Sequence, residues 1–278
     1  MASSLAYSPC PNDTYIFAAL TNGLLPDAPR VDVVLGDVEA LNIAARSGLH
    51  ALTKVSYGAI PYLLEHYRIL RSGGALGRGC GPLVIARNER SLASFGDDAV
   101  FAIPGSMTTA YILLRLALGR EPQVKIMRFD TIVGAVARGE VDAGLIIHES
   151  RFTYTQAGLA RIIDLGEWWE AMTGCAIPLG AILVRRDLSD ADARVIDAAI
   201  RASLAFARAR EPEIIDYVRA HAVEMDDDVM RAHIGLYVNA YSDDVGDEGI
   251  AAVREFFARA HAGGLIPVPR EPEFISRG

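Results

Sequence analysis

The order in which short apolar runs and amphipathic segments alternate constrains this 278-residue chain more than any other feature. Residues 5–7 read as a first strand, and 12–20 as a helix capped by Asn12 or Asp13. Segments 31–35 and 38–45 repeat the pair as strand and helix. Segment 51–55 is a third strand, leading into a helix near 56–66 that Pro61 interrupts early. Strands that alternate with helices in this way point to α/β layers.

The alternation then breaks. Apolar extended runs at 83–87 and 180–184 bracket a complete unit of strand 100–103, helix 108–118, strand 124–127, helix 131–138 and strand 143–147. A chain that leaves one sheet, builds another and crosses back makes two lobes with a cleft between them. The expectation is an α/β, two-lobed, periplasmic-binding-protein-like (type II) fold with a central ligand cleft. Residues 1–87 and 183–278 would form the first lobe, and 88–182 the second. After 184 the pattern is helical: 191–210 behind a Ser189 cap, a turn at Pro212 leading to His221, a segment from Asp226 to Tyr241 and one from Asp247 to His261. Their apolar faces, such as Ile196, Ala199, Ile200 and Leu204, predict lobe packing and no chemistry.

A net charge of −8 argues against a nucleic-acid-binding protein, which presents a basic face. The N-terminus shows no basic stretch followed by a long apolar one, and no run reaches the ~18 apolar residues of a membrane span, so the expectation is a cytoplasmic protein with no membrane insertion. Three scattered cysteines, Cys10, Cys80 and Cys175, suit a reducing compartment. They read as small buried residues, Cys10 lying inside the proline-containing motif. No Cys/His cluster has zinc spacing, and His50, His66, His221, His233 and His261 suggest no ligand set, so no metal is expected.

The candidate chemistry sits where strands end. His148 follows the apolar run 143–147, and ligands of open α/β sheets bind beyond the carboxyl ends of strands. An imidazole there can exchange protons, or it can simply cap the strand and bind nearby backbone. Pro104-Gly105-Ser106 turns the chain into a helix opened by Thr108 and Thr109, a terminus suited to an anion or to plain capping by Ser106 or Thr108. Lys54, Val55 and Ser56 stand at another strand-to-helix turn, although a lone lysine is usually a solvated charge. Asn12 and Thr14 open the first helix and could face the cleft. The glycines of 73–79 lack a nucleotide-loop ending and read as tight turns. Arg78 holds an anion or is solvated, and Trp168 and Trp169 pack or form a lid.

Taken together, Ser8-Pro9-Cys10-Pro11-Asn12-Asp13-Thr14, Leu52-Thr53-Lys54-Val55-Ser56-Tyr57, the glycine-rich stretch 71–79, Pro104-Gly105-Ser106-Met107-Thr108-Thr109 and the His148-Glu149-Ser150-Arg151-Phe152-Thr153-Tyr154 run resemble the 1,4-dihydroxy-6-naphthoate synthase family of the futalosine route to menaquinone. The resemblance spans about residues 5–265. It implies a carbon–carbon lyase that splits cyclic dehypoxanthine futalosine, with His148 as general base and no cofactor. It also implies that Lys54, Val55, Ser56, Thr108 and Thr109 bind a small carboxylate substrate. Val55 stands where many relatives carry Leu. Two alternatives remain at this level: a non-catalytic solute-binding protein of the same fold, and the sister chorismate dehydratase.

Overall fold

The structure is a computed structural model and describes residues 3–222, 226–268 and 271–276. Two sheets form the frame. The first has the order β2 (Val31–Leu35), β1 (Ser3–Tyr7), β3 (Leu52–Ser56), β11 (Ile177–Arg185), β4 (Tyr67–Ile69), and β5 (Ala75–Gly77) also pairs with β11. β1 runs parallel to β2 and β3, whereas β11 is antiparallel to β3, β4 and β5. The second has the order β10 (Ala160–Asp164), β6 (Leu83–Ala86), β9 (Ala143–Ile146), β7 (Val100–Ile103), β8 (Gln123–Ile126). β7 is parallel to β8 and β9, and β6 is antiparallel to β9 and β10.

Sheet membership moves the expected lobe limits. Leu83–Ala86, assigned above to the first lobe, pairs in the second sheet, and the return strand joins the first sheet from Ile177 rather than 183. The crossings therefore lie ahead of Leu83 and ahead of Ile177. At the base of the second sheet the chain is tight. A Cβ on Gly81 would come within 2.2 Å of the Gly166 backbone, so only glycine fits.

The helices follow from local rules. α1 (Pro11–Thr21) has Pro11 in its first turn, where the missing N–H costs nothing. Its cap is Cys10, whose side chain makes no capping bond, so neither Asn12 nor Asp13 caps it and both are free for other work. α2 (Val38–Ala45) is capped by Asp37, and α3 (Thr109–Leu118) by Thr108, which accepts from the Tyr111 N–H. α4 (Phe129–Ala137) covers the second sheet through Ile132 and Val136. α5 (Ser150–Thr153) is one turn after β9, and α6 (Leu165–Thr173), which the sequence pattern did not reveal, buries Trp169.

The expected helix over 56–66 is instead a 3₁₀ turn at Tyr57–Tyr62 followed by β4. Pro61 cannot donate, which disfavours a longer α-helix. α7 (Asp190–Ala209), with its Ser189 cap, and α8 (Ile215–His221) lie against α1 and bury Ile196, Ile200, Leu204 and Val218 with Phe17 and Leu20. The single helix expected to run to Tyr241 is divided into α9 (Asp227–Tyr237) and α10 (Ala240–Asp243), because Asn239 and Ser242 form a capping box that starts a new turn. α11 (Gly246–Ala262) closes the chain and buries Phe256 and Phe257 in the core that joins the two sheets. No helix among the described residues is long and apolar enough to cross a membrane.

Candidate active site

One cavity between the lobes is lined by all six residues singled out from the sequence: Lys54, Val55, Ser56, Thr108, Thr109 and His148. Asn12, Asp13, Ser8 and Tyr237 line it too. The first-lobe wall comes from the ends of β1 and β3, and the second-lobe wall from the start of α3 and the end of β9.

Lys54 is a buried charge and not a solvated one. Its Nζ donates to Asp13 Oδ1 at 2.7 Å and to the Gly73 carbonyl at 3.0 Å. Two buried ions are tolerable only when their remaining valences are filled. Asp13 meets that condition: Ser8 Oγ donates to its Oδ2 at 2.7 Å, and Asn12 Nδ2 donates to its Oδ1 at 2.8 Å. Asn12 Oδ1 in turn lies 2.9 Å from Nε2 of His233, a fully buried histidine of α9. Asn12 Oδ1 can only accept, so His233 carries its proton on Nε2. Ser56 is held by Asn42, which accepts from the Ser56 N–H at 2.9 Å.

The threonines have spent their hydroxyls. Thr108 Oγ1 accepts from Tyr111 N–H at 3.2 Å and donates to the Gly105 carbonyl at 2.9 Å. Thr109 Oγ1 accepts from Gly58 N–H at 3.1 Å and donates to the Leu179 carbonyl at 3.2 Å, so it ties the second lobe to the first. What the start of α3 offers the cavity is backbone: its first N–H groups have no acceptor within the helix. Ser106 is not a cap. Its Oγ donates to Glu39 Oε1 at 3.0 Å, and the Met107 N–H donates to the same oxygen at 3.1 Å. Glu39 thus reaches from α2 across the cleft. Gly105 makes room for it, since a Cβ there would lie 2.3 Å from the Glu39 carboxyl carbon.

His148 is the one non-glycine among the described residues with positive φ, at 57°. Left-handed backbone is costly for such a side chain and marks a position held by its surroundings. The residue is half-buried, its ring centroid 4.9 Å from that of Phe129 in an edge-to-face pair and 6.1 Å from that of His233, with which it stacks. Burial pulls its pKa down to about 4, Asp13 opposes the shift and Lys54 adds to it. The imidazole is therefore neutral near pH 7 and has a lone pair to offer. Burial also holds His233 well below the usual histidine range, with His148 and Lys54 pushing the same way.

Asp13, which reads as a helix cap, and His233 and Tyr237 are residues of the cavity region whose part sequence reading missed. The last two sit on a C-terminal helix whose pattern reads as packing, and no local signal separates them from core. Arg78 is outside the cavity, half-exposed beside Glu248 and the Gly174 carbonyl. Trp169 is core, and its Nε1 donates to the Ala176 carbonyl at 3.3 Å. Cys80 lines the cavity, and burial pushes its thiol up to about 12, while burial and the Glu149 carboxylate hold Cys10 well above the usual thiol range. Neither is a nucleophile at neutral pH. Although no spacing in the sequence suggests a metal, the fold brings donor atoms of Cys10, His148 and Glu149 within 4.8 Å of one another.

Comparison with known proteins fits this architecture. A family model described as menaquinone biosynthesis matches residues 3–262. The 1,4-dihydroxy-6-naphthoate synthase of Thermus thermophilus is 50% identical over 274 residues, covering 99% of each chain. That of Streptomyces coelicolor is 46% identical over 269 residues, covering 95% of this chain and 94% of the relative. Among solved structures, a protein of Archaeoglobus fulgidus superposes with a TM-score of 0.90 at 35% identity, covering 95% of this chain and 98% of that one. The ligand-binding component of an ABC-type import system from Staphylococcus aureus superposes with a TM-score of 0.72 at 15% identity, covering 97% and 94%, which establishes the periplasmic-binding-protein-like fold alone. The chain belongs to the 1,4-dihydroxy-6-naphthoate synthase family of menaquinone biosynthesis.

Proposed function

We propose that the chain is a carbon–carbon lyase that converts cyclic dehypoxanthine futalosine to 1,4-dihydroxy-6-naphthoate and a small sugar-derived fragment, with His148 as general base. The observation that carries the reading is a neutral imidazole, fixed at a strand end by strained backbone, facing a buried ion pair across one cavity. Cleavage driven by enolisation and aromatisation needs a proton acceptor and polar groups for oxygens that become anionic. His148 takes the proton, and Asp13 stabilises the imidazolium that results. The backbone N–H groups opening α3 hold the carboxylate, because a helix start favours negative charge. Lys54, held in place by Asp13 and Gly73, presents a fixed positive potential to the forming enolate. Val55 and Ser56 complete the first-lobe wall. The reading places the protein in the cytoplasm, with a small-molecule carboxylate as its partner.

Incubation with cyclic dehypoxanthine futalosine, followed by mass spectrometry for dihydroxynaphthoate, tests the reaction. The same assay with chorismate tests the sister activity. His148→Asn is expected to fold and bind normally while turnover falls at least about a hundredfold, the scale of a lost general base. Near-normal turnover by that variant would remove His148 from the role. A purely solute-binding protein would bind and release every candidate unchanged.

A further inference from the structure

We propose that Cys10, His148 and Glu149 form a binding site for a zinc-like divalent ion that bridges the two lobes and inhibits the cleft. Cys10 lies on the link from β1 to α1 in the first lobe. His148 and Glu149 follow β9 in the second. One sulfur, one ring nitrogen and one carboxylate oxygen from these three lie within 4.8 Å of one another. Cys10 and Glu149 are buried, so the donors are shielded from competing water.

The donor set selects the ion. Thiolate and imidazole suit Zn²⁺, Co²⁺ and Cd²⁺, whereas Mg²⁺ and Ca²⁺ take oxygen ligands. Zinc bonds of about 2.0–2.3 Å imply tetrahedral edges of roughly 3.3–3.7 Å, so even a pair at the 4.8 Å limit needs to close by only about 1–1.5 Å on binding. Side-chain rotation can supply that movement while the backbone stays in place. The Cys10 carbonyl is held by the N–H groups of Asp13 and Thr14, the His148 carbonyl by Arg151 N–H and the Glu149 carbonyl by Phe152 N–H. The ion takes Cys10 as thiolate, the thiol proton passes to solvent, and no oxidation state changes. Three protein ligands leave a fourth position for water or a ligand oxygen.

Occupation has two effects. The imidazole lone pair is no longer available, and the lobes are stapled together. Metal binding requires only the donors and stands apart from the reaction proposed above. The inhibition rests on that reaction.

The test titrates chelator-stripped full-length protein with Co²⁺ and follows the thiolate-to-cobalt charge-transfer band in the near ultraviolet, without substrate. A saturable band at one ion per chain is expected, lost in Cys10→Ser and kept in Cys80→Ser and Cys175→Ser. Glu149→Gln is expected to weaken Co²⁺ at least about tenfold, since even outer partners of metal ligands are worth that much. No thiolate band, or a band that survives Cys10→Ser, overturns the site. If Cys10→Ser does not fold by circular dichroism, Glu149→Gln and His148→Asn decide, and unchanged Co²⁺ affinity in either overturns it. Zn²⁺ is expected to stop turnover reversibly, with recovery on adding chelator. Undiminished turnover at Zn²⁺ concentrations that displace the cobalt band overturns the inhibitory role.

Discussion

At the scale of single residues, the site depends on burying groups that water would otherwise claim. On the mechanism proposed above, in which His148 is the base, its pKa of about 4 sets the pH profile of the reaction. The free enzyme loses its base only when the imidazole is protonated, so kcat/KM is expected to stay level from neutral pH to about 5 and to fall with an acid limb near 4. An ordinary histidine would put that limb at about 6.5. A limb there, measured with metal chelated, would show that the ring is solvated in the working enzyme. The Asp13–Lys54 pair is tested by stability. Asp13→Asn leaves a buried ammonium without its counter-ion and is expected to cost about 3–5 kcal/mol in urea unfolding. Asp13→Asn combined with Lys54→Met should recover part of that loss, because no charge is then stranded. His148 could be read from its place at the end of an apolar run. Asp13 could not, because its residue type and position both fit a helix cap, and only the fold sends it to Lys54 instead. His233 was illegible for a different reason: its function depends on a partner more than two hundred residues away, Asn12, that no local pattern marks.

At the scale of elements, the second-lobe helix α3 is seated directly on the 3₁₀ turn of the first lobe. A Cβ on Gly58 would lie 2.9 Å from backbone atoms of Thr108 and Thr109, which have nowhere to retreat. Gly58→Ala is therefore expected to push the start of α3 away, break the Gly58–Thr109 hydrogen bond and raise KM for the proposed carboxylate substrate several-fold with a smaller effect on kcat, as a loss of positioning implies. An equal fall in kcat with KM unchanged would place the damage at the base instead. The start of α3 was visible in the sequence because Thr108 is a standard cap before an apolar helix. The 3₁₀ turn was not. Segment 56–66 carries helical apolar spacing, and what wins over it is Pro61 together with the close approach of the other lobe, a tertiary fact.

At the scale of the whole molecule, the two lobes already touch. Glu39 holds Ser106 and Met107, Thr109 holds Gly58 and Leu179, and His148 faces His233. These contacts describe a shut cleft, and a hinge that opens must break them. Glu39→Ala is expected to enlarge the ligand-free radius of gyration in solution scattering, with a saturating carboxylate product reversing the change. Identical curves for the variant and the parent protein would mean that the core shared by both sheets, and not this carboxylate, holds the lobes together. The two-lobed plan was legible because an α/β unit bracketed by extended runs has few other topologies. Its limits were not, since strands such as Leu83–Ala86 are apolar whichever sheet they join, and pairing partners decide membership.

The position of β11 also has a consequence for the order in which the molecule can be made. All strands of the second sheet lie between Leu83 and Asp164, so that lobe holds its complete sheet in one stretch of chain. The first sheet is different, because β11 sits between β3 and β4 and arrives only after Ile177. A ribosome delivering this chain from its N-terminus therefore releases β1 to β4 with a gap in the middle of their sheet, and edges that no partner covers are prone to wrong pairings. The lobe that starts first finishes last, and the inserted lobe can fold while the one around it waits for its central strand.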